Sequence, residues 1–339
     1  MNARLRTQIL EAIVSRLTRF KRILRSSPAL ARAMRTVRCR NAFNKLNLHE
    51  EMLADPVRMN AYHAAIQRYV TSQDHVVDVG TGTGVLAFFA AAKSPRKVYA
   101  LDHSKKMLDY AGAAAKANGI ANVTFVASSS RTFRPAEPLD VIIQEQMGIA
   151  LFDEEMVETI LDVRDRCLKP GGRILPARFE FYLEPVQLSQ QERIPLMHEQ
   201  RFYGLKFPRP AISPRSAYYF REIYPRDVDF LLCDPEPVFT FDLTTLTPDQ
   251  SPKRFAVRKP VARHGQVDGI CMYFKASFDD DIAFSTGPEA AKTHWPMLLY
   301  RTSARIFSPG EIFEMQVDVP DLSDHRGWSW QIGCQESAG

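Results

Sequence analysis

Cysteine is scarce and scattered. The 339-residue chain has five, Cys39, Cys167, Cys233, Cys271 and Cys334, with no Cys-x-x-Cys among them. An odd number at wide spacing excludes a disulfide scaffold and a structural zinc site, so no metal is expected and a reducing compartment fits. Long apolar runs are missing too. The longest, Val85 to Ala92, is 8 residues, far short of a membrane-spanning helix. Sixteen glycines and 22 prolines are too few for a collagen-like or low-complexity chain. No internal repeat is seen, and no Gly-Lys-Ser/Thr completes a phosphate-cradling loop.

Acid is nearly absent from one stretch. Residues 1–48 hold 12 Lys and Arg against the single Glu11, a charge of +11, which leaves −6 on the rest (32 basic, 38 acidic). An enzyme of nucleic acid carries its basic patch on the catalytic body, where phosphates are held, so no nucleic-acid partner is expected. A mildly acidic body suits a cationic substrate. In the basic segment, Ile9, Ile13, Leu17, Phe20 and Leu24 share one helical face, and Ser26-Ser27-Pro28 ends it. Three readings stand: a solvated basic helix, a membrane-surface or partner-binding helix, and an organellar targeting peptide. The expected location is cytoplasmic, with organellar targeting as the alternative.

Residues 49–178 alternate short apolar strands (75–79, 97–101, 123–127, 139–144) with helical stretches (85–93, 104–118, 153–168), and Lys169-Pro170-Gly171-Gly172 reads as a turn. Strands separated by such helices predict an α/β, doubly wound parallel sheet. Residues 179–339 then show strands without long helices (179–183, 238–241, 270–278, 298–300, 312–319), which predicts a mainly β, barrel-like second domain. An aromatic and Pro-rich insertion occupies about 195–226.

The first strand runs into Asp78-Val79-Gly80-Thr81-Gly82-Thr83-Gly84. Glycines at a strand-to-helix junction let a ligand approach the backbone closely. The third glycine comes one residue early for the dinucleotide fingerprint. The turn resembles motif I of class I S-adenosylmethionine methyltransferases. Asp102, ending the second strand, is placed to hold ribose hydroxyls; a tight turn plus a capping acid is the bland alternative.

The fourth strand ends in Gln144-Glu145-Gln146-Met147-Gly148-Ile149-Ala150-Leu151-Phe152-Asp153-Glu154. At the carboxyl end of a parallel sheet this loop faces the ligand crevice. Two carboxylates nine positions apart, with Met147-Gly148 allowing a turn, can fold back as a hairpin onto one cation. Guanidinium is the natural guest, planar, permanently charged and able to make paired hydrogen bonds. For Glu154 taken alone, favouring the N-terminus of the next helix is an adequate role.

Here the sequence resembles the protein arginine methyltransferases. Their double-E loop, S-E-x-M-G-x-x-L-x-x-E, is matched by Gln144-Glu145-x-Met147-Gly148-x-x-Leu151-x-x-Glu154. His49-Glu50-Glu51-Met52-Leu53 with Asp55 and Arg58 matches the segment over the cofactor. Phe284-Ser285-Thr286, Pro288 and Thr293-His294-Trp295 match the late segment with its T-H-W loop. The resemblance implies that Glu145 and Glu154 clamp a guanidinium. It places Arg58 on the cofactor carboxylate, His49 beside the cofactor, Asp78, Gly80 and Gly82 at its turn, and Asp102 on its ribose. His294, paired with Asp55, would orient the acid loop and help remove the proton; Met52, Asp55, Met156 and Trp295 would border the substrate pocket. The insertion would be a dimerisation arm, so a homodimer is implied.

Departures from the family are local. Cys39-Arg40-Asn41-Ala42-Phe43 stands where a tyrosine-bearing helix is usual, Gln146 replaces a Trp and Ile149 a Tyr. Ser128-Ser129-Ser130 replaces an acid beneath the adenine, and Ser129 and Ser130 are expected to serve there. The expected activity is S-adenosylmethionine-dependent N-methylation of arginine in a protein or peptide, giving monomethylarginine and then asymmetric dimethylarginine. Free arginine or a small guanidine metabolite is the alternative substrate. A nucleic-acid methyltransferase and a non-catalytic dimeric binding module are rivals of other classes.

Overall fold

The structure, a computed structural model, describes residues 46–213 and 216–335. The basic helix expected within 1–48 and the Cys39–Phe43 substitution lie outside the described residues. The chain divides at His49/Glu50 into two units. The described part of the first unit is the beginning of α1 (Leu46–Leu53), which carries His49. Everything below concerns the second unit.

Helix α2 (Pro56–Tyr69) begins where Asp55 Oδ1 accepts from Arg58 N, with Pro56 supplying a preset φ. Then follow β1 (His75–Val79), α3 (Val85–Ala91), β2 (Lys97–Asp102), α4 (Lys105–Ala117, capped by Ser104), β3 (Val123–Ala127), β4 (Leu139–Gln144), α5 (Met156–Cys167) and β5 (Leu168–Leu175). The five strands form a parallel sheet in the order β3-β2-β1-β4-β5. Strand order reverses between β1 and β4, which puts a ligand crevice at their carboxyl ends. Lys169–Gly172 falls within the bounds of β5 but pairs with no residue of β4: the register passes from Leu139–Leu168 to Val141–Arg173, so these four residues loop out as expected, with Gly171 at φ 77°. Helix α5 starts at Met156, later than expected, because Glu155 adopts a left-handed φ of 57°. Glu154 therefore precedes the helix and does not sit in its first turn.

The β layer holds β6 (Arg178–Leu188), β7 (Arg201–Phe202), β8 (Leu205–Lys206), β9 (Phe220–Ile223), β10 (Val228–Leu231), β11 (Phe239–Asp242), β12 (Arg254–Pro260), β13 (Gly265–Ser277), β14 (Ala283–Ser285), β15 (Met297–Phe307), β16 (Ile312–Asp318) and β17 (Ser329–Gln335). A seven-stranded antiparallel sheet runs β10-β6-β13-β15-β9, with β11 on β6 and β14 on β13; β12-β16-β17 form a second sheet. The barrel-like character comes from these two curled sheets closing on one core, where Phe181, Phe255 and Trp328 meet. Strands β12 and β17 are not predicted by the sequence: β12 (Arg-Phe-Ala-Val-Arg-Lys-Pro) lacks clean apolar–polar alternation, and β17 follows a Pro- and Asp-containing stretch.

The insertion is shorter than expected. Within 195–226, Phe220–Ile223 pairs with β15, Tyr219 is buried, and the Tyr219 and Phe220 rings pack on Tyr300. Tyr203, Leu205, Phe207 and Ile212 remain exposed. The projecting part is thus the small β7–β8 hairpin and its flanks.

Candidate active site

The glycine turn after β1 uses left-handed backbone at Gly80, Gly82 and Gly84 (φ 76°, 53° and 87°), which glycine adopts without strain. Asp78 supports this turn from behind: its Oδ2 accepts from Thr81 Oγ1 at 2.6 Å and Ala87 N at 3.1 Å. Burial pushes the Asp78 carboxyl up to about 7, although those bonds and the Arg58 charge pull the other way. Asp102 ties the second strand to the turn, accepting from Gly82 N at 3.0 Å and Ser104 N at 2.8 Å. Lone pairs remain on both carboxylate oxygens for hydroxyl donors. Ser128 N donates to Asp102 O at 3.1 Å, so the serine loop leaves β3 beside Asp102. In that loop Ser129 Oγ accepts from Arg131 N, and the Ser130 carbonyl accepts from Arg166.

The acid loop folds back as a hairpin. Leu151 N donates to Gly148 O at 2.9 Å and Gly148 N to Leu151 O at 3.3 Å. Glu145 precedes the hairpin and Glu154 follows it. Burial, reinforced by the charges of Glu145 and Asp153, holds the Glu154 carboxyl well above the usual carboxylate range. The two expected clamp residues are therefore within electrostatic reach of each other. Glu145 also meets a cation already in place: Arg58 Nε lies 3.3 Å from its Oε1, both side chains being buried. The geometry falls short of a hydrogen bond, so the contact is an ion pair. Arg58 Nη1 donates to Met52 O at 3.1 Å. Burial works against the Arg58 charge, and Glu145, Tyr62 and Asp55 together more than offset it.

Asp55 and His294 meet as expected. His294 Nδ1 lies 2.9 Å from Asp55 Oδ2, and His294 N donates to the same oxygen at 2.8 Å. Burial would raise the Asp55 carboxyl, but these bonds and that from Arg58 N hold it below its ordinary value. Trp295 follows His294 on the same segment. Its ring is buried, stacked on Phe284 at 5.5 Å, and its Nε1 donates to Met147 O at 2.7 Å. It braces the acid loop from the β layer. Met156 is wholly buried at the start of α5 and Met52 nearly so.

Sequence reading missed several supports. Tyr62 donates to Gln144 O at 2.7 Å from one turn beyond Arg58, and Gln144 Oε1 accepts from Gln146 N at 3.2 Å. Tyr62 follows Arg58 by four residues on α2, a helical spacing that could have flagged it. Gln146 Oε1 is buried without a partner, and the Gln146 Nε2 is the atom nearest to where a Gly80 side chain would point, 3.5 Å away. Asp153, wedged between Phe152 and Glu154, pairs with His325, for which the sequence holds no signal.

Comparison with known proteins agrees with this geometry. A family profile described as "Methyltransferase domain" matches residues 76–172, spanning the glycine turn and both loop glutamates. A second, "Arginine methyltransferase oligomerization subdomain", matches 216–319, including His294 and Trp295. Protein arginine N-methyltransferase 6 of Danio rerio is 32% identical over 266 residues, covering 75% of this chain and 76% of its own. Protein arginine N-methyltransferase 1 of Dictyostelium discoideum is 30% identical, covering 84% and 85%. Among solved structures, the Trypanosoma brucei PRMT1 enzyme-prozyme heterotetrameric complex with AdoHcy superposes with a TM-score of 0.73 at 23% identity, over 87% of this chain and 96% of that one. Arabidopsis thaliana protein arginine methyltransferase 10 gives 0.69 at 24%, over 88% and 95%; these two likenesses concern the fold.

Proposed function

The chain belongs to the protein arginine methyltransferase family, and from that premise we propose that it methylates arginine in proteins, with Glu145 and Glu154 as the guanidinium clamp. It is an S-adenosylmethionine-dependent arginine N-methyltransferase. The cofactor, when bound, supplies an electrophilic sulfonium methyl. The residues present fit it. Gly80 offers a side-chain-free turn, Asp102 keeps acceptor capacity, and Arg58 holds a buried Nε with no hydrogen-bond acceptor.

The single observation that carries the clamp is the folded-back loop that brings Glu145 and Glu154 into electrostatic contact. A guanidinium has a pKa of about 13.8, so removing a proton to make the nucleophile is unfavourable. Two carboxylates instead orient the guanidinium and draw its positive charge toward the nitrogens they bind, leaving the remaining terminal nitrogen to attack in line. Asp55 and His294 steady the loop, and His294 is our candidate for accepting the proton after transfer. His49 and Met52 are assigned to the cofactor side and the acceptor pocket by the family's pattern, as are Ser129 and Ser130 to the adenine.

Monomethylarginine followed by asymmetric dimethylarginine is the product series proposed, since Met52 and Met156 match family members making that product. Symmetric dimethylarginine would contradict it. Free arginine stays in view as a substrate because Gln146 replaces a Trp. The deciding experiment is mass spectrometry of reactions offered an Arg/Gly-rich protein and free arginine; methylated free arginine as sole product would overturn the protein substrate. We further propose a homodimer through the β7–β8 arm. A reducing, cytoplasmic location is supported by buried free thiols at Cys167, Cys233 and Cys271, whereas an organellar location or membrane contact rests on the basic 1–48 segment alone.

A further inference from the structure

A second Asp–His pair reaches the acid loop from the far end of the chain. Asp153 lies flat on the hairpin: a Cβ added at Gly148 would fall 2.6 Å from its own Cβ. Its Oδ2 accepts from Ala150 N at 2.9 Å, inside the turn. Its Oδ1 faces His325 Nδ1 at 2.6 Å, with both side chains largely buried. Facing a carboxylate, that ring nitrogen carries the proton and donates. His325 opens the short 3-10 turn 325–327 between β16 and β17. Its ring stands edge-on to Phe220, 5.2 Å away at 73°. Phe220 is the first residue of β9, the strand that returns the chain from the arm to the β layer after the 3-10 turn Ala217–Tyr219.

The hairpin needs such a restraint. Leu151 (φ 63°) and Glu155 (φ 57°) both hold left-handed backbone without being glycine, a conformation that persists only where surroundings enforce it. Trp295 holds the near side of the loop at Met147 O, and Asp55–His294 links α2 to the T-H-W segment. Neither acts on the stretch between Gly148 and Glu154. Within that stretch Phe152 packs on Phe181 and Phe241, and Asp153, bonded to Ala150 N through one oxygen, is held at the other by His325.

We propose that His325 is a positioning residue for methyl transfer: through Asp153 it sets the Gly148–Leu151 hairpin, and so the direction of the Glu154 carboxylate. Through its contact with Phe220 it also joins the acid loop to the root of the arm. The proposal rests on Glu154 being one side of the guanidinium clamp.

The test compares His325→Ala, His325→Asn, Asp153→Asn and the double variant His325→Ala/Asp153→Asn in the full chain. Steady-state rates are measured on an Arg/Gly-rich peptide, S-adenosylhomocysteine affinity by calorimetry, and amide hydrogen exchange at residues 148–151. His325→Ala is expected to lower kcat about 10-fold, as a misaimed catalytic group does, with cofactor affinity within about twofold. Exchange at Leu151 should quicken. His325→Asn, whose amide nitrogen can donate where Nδ1 did, should recover most of the rate. The double variant should be no slower than Asp153→Asn, because the two side chains act as one unit. Wild-type kcat and exchange in His325→Ala would overturn the proposal, as would losses in the double variant that multiply. If His325→Ala fails to fold, His325→Asn decides: a rate as low as that of Asp153→Asn, with normal melting, would also overturn it. Failure of the clamp is read separately, from Glu154→Gln keeping its rate, while exchange at 148–151 still reports what His325 holds.

Discussion

Arg58 and Glu145 form a buried ion pair, Nε 3.3 Å from Oε1, whose geometry falls short of a hydrogen bond. The contact neutralises both charges without committing the donor. Glu145 therefore stands next to a cation, whereas the charges acting on Glu154, those of Glu145 and Asp153, both repel it. The two glutamates of one clamp thus have opposite relations to stability.

Glu145→Gln should leave the Arg58 guanidinium beside a neutral amide and cost about 1–3 kcal/mol of folding stability. Glu154→Gln should raise the melting temperature at neutral pH, because it removes a carboxylate held in a place that disfavours its charge. Both should cut kcat at least about 100-fold, with modest change in cofactor affinity. Calorimetric melting beside single-turnover rates checks the contrast; equal melting shifts in the two variants would sink it, and near-normal turnover in both would remove the clamp.

Clamping needs Glu154 ionised, and its carboxyl titrates well above the usual range. The rate should therefore rise with pH through a limb lying above that of an ordinary carboxylate. The same shift means the folded chain holds this proton more tightly than the unfolded one, so Glu154 opposes folding increasingly as pH rises above the ordinary value of 4.5. A rate profile already flat at pH 5 would contradict the assignment.

Asp78 gives a stability counterpart with a defined window. Its carboxyl is raised from 3.8 to about 7, chiefly by burial. Between those values the unfolded chain releases the proton and the folded chain keeps it, so this group's contribution to stability falls as pH rises from about 4 to 7 and is constant beyond. Asp78→Asn keeps an oxygen for Thr81 and Ala87, so it should flatten that part of the stability–pH curve. Urea titrations at pH 5 and pH 8 test this: a wild-type-like slope in Asp78→Asn excludes Asp78 as its source.

Much of this site was legible because its chemistry sits at strand ends. The apolar run His75–Val79 broken by three glycines, and two glutamates flanking Met147-Gly148, carry their geometry locally. What was not legible is tertiary. The resemblance puts Trp295 at the substrate pocket, but only the structure shows its ring stacked on Phe284 and its Nε1 bonded to Met147 O. Tyr218, Tyr219 and Phe220 read as one exposed arm with Phe202, Tyr203 and Phe207, but packing on Tyr300 and Arg301 takes them into the β layer. Composition cannot distinguish these outcomes, since each depends on which tertiary partner the side chain meets.

Trp295 offers a direct test of bracing from the β layer. Trp295→Phe keeps an aromatic ring against Phe274 and Phe284 but removes the 2.7 Å bond to Met147 O. The loss should cost about 1 kcal/mol of stability and lower kcat more than it changes the substrate KM. A change confined to KM would return Trp295 to the pocket wall.

The arm makes the last prediction, and the structure moves its boundaries. Removing residues 200–222 would delete most of β9 and the buried Tyr219, so a failed fold would say nothing of assembly. Replacing 201–212 by a short Gly-Ser linker leaves β9, Tyr218 and Tyr219 in place. It takes away Tyr203, Leu205, Phe207 and Ile212, the exposed apolar side chains of the hairpin. Side chains of this kind gathered on a projecting hairpin mark an interaction surface, and a two-fold dimer follows if each protomer offers both arm and docking site. Light scattering should therefore find the shortened chain monomeric, with normal melting of the remaining fold. Its turnover should fall too, because Phe220 at the arm's root touches His325, and His325 holds Asp153 on the acid loop. A shortened chain that stays dimeric would place the interface elsewhere, and a fully active monomer would break the link between assembly and the loop.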